Sequence, residues 1–350
     1  MHMADALISP AVGGVMWAAA IGAVSYSARK VQRELDDHKV PLMGVLGAFV
    51  FAAQMINFTI PGTGSSGHIC GALLLAILLG PYAAFLAIAT ILTIQCLFFA
   101  DGGLLALGAN MINMGFYGCF IGYPLLYKPL AGNNPTQGRI ILAAAAASIV
   151  GLQLGAFSVV LETLFSGISE LPFGTFVLLM QPIHLAIGLV EGLITAALVI
   201  FVLKESPEIL NKTALGQSLS GIPVKRVFIT FLVAAVLTGG ALSWFASANP
   251  DGLEWSVAGV TGEDELQAPA GIHSLFAEIQ EKTAFLPDYN FKQPEKPAAK
   301  EAAATSVEPA EKEAAWPAVD GGTSTAGIIG SMLTLALVYC IGKGVQHFAK

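Results

Sequence analysis

The sequence predicts an all-α polytopic membrane protein: a seven-helix bundle, then a two-helix hairpin carrying an outer, partly disordered loop. Three observations predict it. The 350 residues are 55% hydrophobic and only 12% charged, with a mean hydropathy of +0.70, whereas soluble domains carry about 25% charged residues. The apolar residues fall into long runs of the length that spans a bilayer. The basic residues gather on one side of those runs.

Nine apolar segments follow one another, at residues 10–28, 41–57, 68–79, 82–99, 104–123, 140–165, 174–203, 226–246 and 325–342. Breakers separate them, among them Pro41, Gly80-Pro81, Gly102-Gly103, Pro129, Pro172 and Pro223. The first segment has the length of a signal peptide core, but its leading residues include Asp5 and no Lys or Arg. The basic Arg29, Lys30 and Arg33 come after it, the pattern of a retained first helix with its N-terminus outside. Alternating from there places most of the 17 basic residues on the inner side, from Lys39 through Lys128, Arg139, Lys204 and Arg226 to Lys350. The other five (Lys282, Lys292, Lys296, Lys300 and Lys312) share one long outer segment, to which the positive-inside rule does not apply. The predicted orientation is N-terminus outside and C-terminus inside.

The third segment is short. It starts at His68 and meets Gly80-Pro81 after about 12 residues, roughly 18 Å of helix against a hydrocarbon core of about 30 Å. Before it runs a Gly- and Ser-rich stretch, residues 57–67. A polar loop at membrane depth must line a cavity or be buried in protein. An imidazole there is a functional candidate; the plainer reading is a histidine that caps a short helix.

The outer segment, residues 248–323, differs in kind. Residues 274–282 are expected to form a short helix. Residues 293–315 are mostly Pro, Ala, Glu and Lys, too poor in large apolar side chains to fold alone. The chain is thus expected to divide at residues 1–215 and 216–350. It has no internal repeat of the inverted type.

Several function classes are excluded. The net charge is −7 with no basic patch, so no nucleic acid is expected. Cys70, Cys96, Cys119 and Cys340 lie in apolar runs without CxxC spacing, which suggests packing rather than disulfides or a thiolate site. No phosphate-binding loop exists: Gly342-Lys343-Gly344 lacks the Ser or Thr and the upstream Gly. The chain is expected to be no enzyme and to hydrolyse no ATP.

His2 follows the initiator methionine. A free α-amine, one amide nitrogen and the His2 Nδ1 can close two adjacent chelate rings on one ion. That supplies three in-plane nitrogens and leaves a fourth corner open, a geometry favoured by Ni(II) or Cu(II).

These features resemble a known family. The start Met1-His2-Met3-Ala4-Asp5-Ala6-Leu7, the stretch from Gly67-His68 to Gly80-Pro81, Gln95–Asp101 with Gly102-Gly103, and Leu107–Gly115 with Asn110 and Asn113 resemble the nickel and cobalt substrate-binding membrane subunits (NikM/CbiM) of energy-coupling-factor transporters. The resemblance covers roughly residues 1–205. The C-terminal part, with its Pro250-Asp-Gly-Leu-Glu254, resembles the NikN/CbiN accessory subunit, helices near 226–246 and 325–342 included. The resemblance implies uptake of Ni(II) or Co(II) as transported substrate across a bacterial cytoplasmic (inner) membrane. It implies separate ATP-binding subunits and a coupling transmembrane subunit as partners, within membrane lipid. It also implies a four-nitrogen metal plane built by Met1, His2 and His68.

Asp101, Asn110 and Asn113, at helix ends, are candidates to orient the histidines; capping is the alternative. His184 and Glu191 share one helix face. Glu191 is expected nearer the inner side, in a structural or partner contact, and Cys70 is expected to pack. Small residues at Gly44, Ala48 and Ala52 permit a close helix contact and could dock a partner. The C-terminal part shows no clustered ligand set, His273 being its only outer histidine, so it is expected to assist loading rather than form the site. Competing classes are a solitary metal carrier, a metal sensor, and a haem redox protein using His68 and His184.

Overall fold

The computed structural model describes residues 1–32, 34–262, 266–292 and 316–347. The tether expected at residues 293–315 lies outside them. The fold is a mostly helical membrane bundle. Helix α1 (Pro10–Val31) opens with the Ser9 hydroxyl accepting from the Val12 amide and with Pro10 in its first turn, a pairing that satisfies an otherwise orphaned donor. Then come α2 (Lys39–Gln54), a small antiparallel hairpin of β1 (Phe58–Ile60) and β2 (Ser65–Gly67), α3 (Ala72–Leu79) and α4 (Pro81–Phe99). Helix α5 (Leu107–Asn110) runs on into a wider π-helical stretch (Met111–Tyr127) and α6 (Lys128–Ala131). The predicted end of this segment near 123 is therefore passed. The π-helical stretch carries Pro124, whose missing N–H a regular helix tolerates poorly.

Helices α7 (Gln137–Ser166) and α8 (Phe173–Glu205) pack along each other, and the short amphipathic α9 (Pro207–Ala214) follows. The hairpin is α10 (Lys225–Gly240) and α13 (Gly321–His347), with α11 (Gly252–Thr261) and α12 (Ile272–Thr283) between them. Helix α12 covers the short helix expected at 274–282. Helices α1, α4, α7, α8 and α13 are long and apolar enough to cross a membrane. Side chains such as Phe165 and Leu178 stand more than two-thirds exposed on the rim, as a lipid-facing surface requires.

Two expectations need correction. The short helix does not begin at His68. It begins at Ala72, because the Cys70 and Gly71 amides donate to the Glu191 carboxylate (2.8 and 3.0 Å) instead of entering a helix. Gly71 makes the turn at φ +76°, and a Cβ there would lie 2.5 Å from Val50. Eight residues give α3 a length of roughly 12 Å, and all eight are buried. Glu191 consequently lies beside the His68 loop rather than towards the far end of the bundle, and its role is a structural one at the α3 N-terminus. Second, the small-residue face of α2 is taken by the chain itself. The Ser331 hydroxyl of α13 donates to the Ala48 carbonyl (3.3 Å), and a Cβ on Gly44 would meet the Leu335 carbonyl at 3.0 Å.

The segment between α10 and α13 folds back as a cap over one end of the bundle. The Ser66 amide of β2 donates to the Pro250 carbonyl (2.8 Å), and the Ser247 amide to the Asn57 carbonyl (2.7 Å). Helix α12 reaches the N-terminal segment: His273 Nε2 donates to the Ile8 carbonyl (2.9 Å), and the Gln280 amide to the Gly102 carbonyl (2.8 Å).

Candidate metal-binding site

Residues 1–9 enter the capped end of the bundle and are held there by backbone-directed side chains. Asn110 of α5 grips Met3 on both sides, accepting from its amide (2.7 Å) and donating to its carbonyl (3.2 Å). The Asp5 carboxylate accepts from the Ala106 amide (2.9 Å). The Met1 amine is thereby buried beside His68, 3.4 Å from its Nε2. The His2 and His68 rings stack with centroids 5.2 Å apart and planes 20° apart.

Which ring nitrogens are free follows from fixed acceptors. His68 Nδ1 faces the Ile69 carbonyl at 3.1 Å. A carbonyl only accepts, so Nδ1 carries the proton and Nε2, beside the Met1 amine, is bare. His2 Nε2 faces the Gln95 side-chain oxygen at 3.2 Å. That leaves His2 Nδ1 without a proton, the nitrogen that can close a chelate ring with the backbone. Nδ1 in turn faces an Asp101 oxygen at 3.1 Å. A bare nitrogen beside a carboxylate is a place suited to a cation. The Tyr289 hydroxyl of the cap donates to the other Asp101 oxygen and stacks on Phe99.

The cap also supplies Asp251. One of its oxygens takes the Leu253 and Glu254 amides (2.7 and 3.0 Å), capping α11. The other lies 2.5 Å from the Met1 amine. Burial by itself would depress the Met1 ammonium, but Asp251 outweighs it and holds the group above its ordinary value. Burial likewise works against the Asp251 carboxylate, but the ammonium holds it well below the usual range. Burial, with the ammonium nearby, drives His2 and His68 down to about 3, so both imidazoles are neutral at physiological pH. Burial pushes the Asp101 carboxyl up.

A cavity of about 810 Å³ separates the cap from the histidines, and its lining includes Asp5, Asp101, Asp251, Glu254, Asp288 and Asp320. Among the described residues no lysine or arginine lines it. Bare nitrogens below and carboxylates around them suit a divalent cation, not an anion. Nitrogens 3.4 Å apart can both stand at about 2 Å from one ion.

The structure thus brings Met1, His2, His68 and Asp101 together. Asn110 positions the chain through Met3 rather than touching a histidine. Asn113 lies deeper and donates to Glu162 at 2.7 Å instead. His184 donates to the Met180 carbonyl (2.8 Å). Cys70 is buried, as a packing residue should be. The C-terminal part, expected to assist loading rather than form the site, sends Asp251 to the Met1 amine and Tyr289 to Asp101. Gln54 and Gln95 are also part of the site and carried a legible signal: they are amides inside apolar helices, where polar groups need a partner.

Comparison with known proteins agrees with this architecture. Residues 2–209 match the family described as the cobalt uptake substrate-specific transmembrane region, and residues 225–347 match the PDGLE domain. The chain is 31% identical over 315 residues to the fused nickel transport protein NikMN of Rhodobacter capsulatus, covering 83% of this chain and 88% of the relative. It is 30% identical over 215 residues to the cobalt transport protein CbiM of Sorangium cellulosum, covering 61% and 95%. A crystal structure of a truncated transition metal transporter superposes with a TM-score of 0.52 at 32% identity, covering 59% of this chain and 99% of that one.

Proposed function

The chain belongs to the cobalt-uptake substrate-specific transmembrane family, joined to a PDGLE domain, and on that premise we propose that it captures Ni(II) or Co(II) outside the cytoplasmic membrane for uptake. The metal is held by the Met1 amine, the His2 amide nitrogen, His2 Nδ1 and His68 Nε2. Residues 1–215 form the metal-binding part and residues 216–350 the cap and its two helices. The chain works as the substrate-specific component of an energy-coupling-factor transporter, with ATP-binding subunits and a coupling membrane subunit supplied separately. Its N-terminus lies outside and its C-terminus inside.

The observation that carries this reading is the buried Met1 amine facing a bare His68 Nε2 at 3.4 Å. An amine and an imidazole do not stack up beside a second imidazole for packing alone. The ion approaches through the carboxylate-lined cavity and then exchanges protons for nitrogen bonds. Amide coordination in a plane favours Ni(II) over Zn(II) or Mg(II). A haem held by His68 and His184 is disfavoured, because the His68 ring is stacked on His2 and its Nε2 faces the Met1 amine at 3.4 Å. Uptake of radioactive nickel and cobalt by cells carrying the chain, with and without the ATP-binding and coupling subunits, tests the proposal. Uptake is expected only with all subunits; equal uptake without them makes the chain a solitary carrier.

A further inference from the structure

We propose that Gln54 is a positioning residue that sets the tautomer of His2 by acting through Gln95. The inference rests on the reading of His2 Nδ1 as a metal donor. The three groups form one directed relay anchored on the backbone. The Gln54 side-chain nitrogen donates to the Cys70 carbonyl at 2.8 Å. A carbonyl cannot donate, so Gln54 must offer its NH2 there and turn its oxygen the other way. That oxygen accepts from the Gln95 side-chain nitrogen at 2.9 Å. Gln95 therefore presents its own oxygen to His2, and His2 Nε2 meets it at 3.2 Å as an N–H donor. A neutral imidazole with its proton on Nε2 has Nδ1 bare, and only Nδ1 can close a ring with the His2 amide.

Each amide is buried, Gln54 at 4% exposure and Gln95 at 0%, and the relay atoms of both already have protein partners. Reversing one amide would set donor against donor or acceptor against acceptor along the relay, which a buried site penalises. The Cys70 carbonyl belongs to the same loop as His68, whose proton is fixed on Nδ1 by the Ile69 carbonyl. One loop backbone thus directs both imidazoles, His68 directly and His2 across two helices.

The full-length protein in detergent provides the test. Gln54→Met removes both polar atoms at similar volume. Imidazole nitrogen chemical shifts of the metal-free protein should show His2 protonated on Nε2 in the wild type and a tautomer mixture in Gln54→Met. The His68 shifts should not move. Nickel affinity, measured against a competing chelator, should fall about 10–100-fold. In a Gln95→Met background, adding Gln54→Met should cost nothing further. Gln54→Glu still accepts from Gln95 and, protonated, still donates to the carbonyl, so it should retain the wild-type shifts; it also keeps the test open should Gln54→Met not fold. A folded Gln54→Met protein with His2 wholly protonated on Nε2, or a Gln54→Glu protein with mixed tautomers, overturns the inference. A wild type that binds no nickel would overturn the donor reading instead, while the shifts still judge the relay.

Discussion

The imidazoles of His2 and His68 stack with ring centroids 5.2 Å apart and planes 20° apart, one at the chain terminus and one in the loop ahead of a helix of eight residues. Each has one nitrogen facing a fixed protein oxygen; the other faces the Met1 amine in His68 and the Asp101 carboxylate in His2.

Removal of the His68 ring should leave one corner of the plane to water. His68→Ala should therefore weaken nickel binding by more than the roughly 10–100-fold typical of losing an outer partner. His38, at the start of α2, serves as the control, and His38→Ala should bind as the wild type does. Titration calorimetry of both variants decides the matter; equal affinities would remove His68 from the site.

Metal binding should release about two protons near neutral pH. One comes from the Met1 ammonium and one from the His2 amide. The ammonium is held above 8.0, so affinity should climb with pH through neutrality. The imidazoles, at about 3, should give no break near 6.5, where free histidine titrates. Calorimetry in buffers of different ionisation enthalpy counts the protons, and a count of one or none contradicts the assignment. The same depressed values set the acid stability of the metal-free fold. The unfolded chain takes up these protons near 6.5 and the folded one not until about 3. Stability should therefore fall as pH drops through that window, by up to ~1.4 kcal/mol per pH unit for each ring.

Asp251→Asn should destabilise the metal-free protein by about 3 kcal/mol, the lower end for breaking a buried ion pair. Asparagine still caps α11, so the loss isolates the contact with the Met1 amine, at 2.5 Å. Denaturant unfolding in detergent should show it. Unchanged stability would mean that the ion pair does not hold the terminus.

The bundle was largely legible from sequence because hydrophobic runs and breakers are local signals. All nine apolar segments correspond to helical elements, although α3 starts four residues later than His68, at Ala72. The delay was not legible because its cause, Glu191, lies on another helix. His2 and His68 stood out through chelate geometry and an unusual depth. Asp251 and Tyr289 did not, because nothing in their own stretches of sequence says that the cap folds down onto residues 1–9. Asn113 was expected near the histidines on helix position alone, and its partner Glu162 draws it elsewhere.

Gly67 gives a steric test of the loop. A Cβ there would come within 2.4 Å of the Ile187 side chain, so Gly67→Ala must push β2 and His68 away from α8. Nickel affinity should drop at least tenfold, as for lost orientation of a ligand. Adding Ile187→Ala should restore much of it by making room. No rescue would mean that the close approach to α8 is not what places His68.

The account turns on the Met1 amine as a metal donor, and one added residue tests it most directly. A variant carrying a single alanine ahead of Met1 keeps His2 and His68, but moves the free amine away from Asp251 and turns the Met1 nitrogen into an amide. Nickel affinity and the visible absorption of the nickel complex should be measured on that variant in its folded form. The account predicts loss of high-affinity binding and of the planar four-nitrogen absorption band. Wild-type affinity with an unchanged band would contradict it.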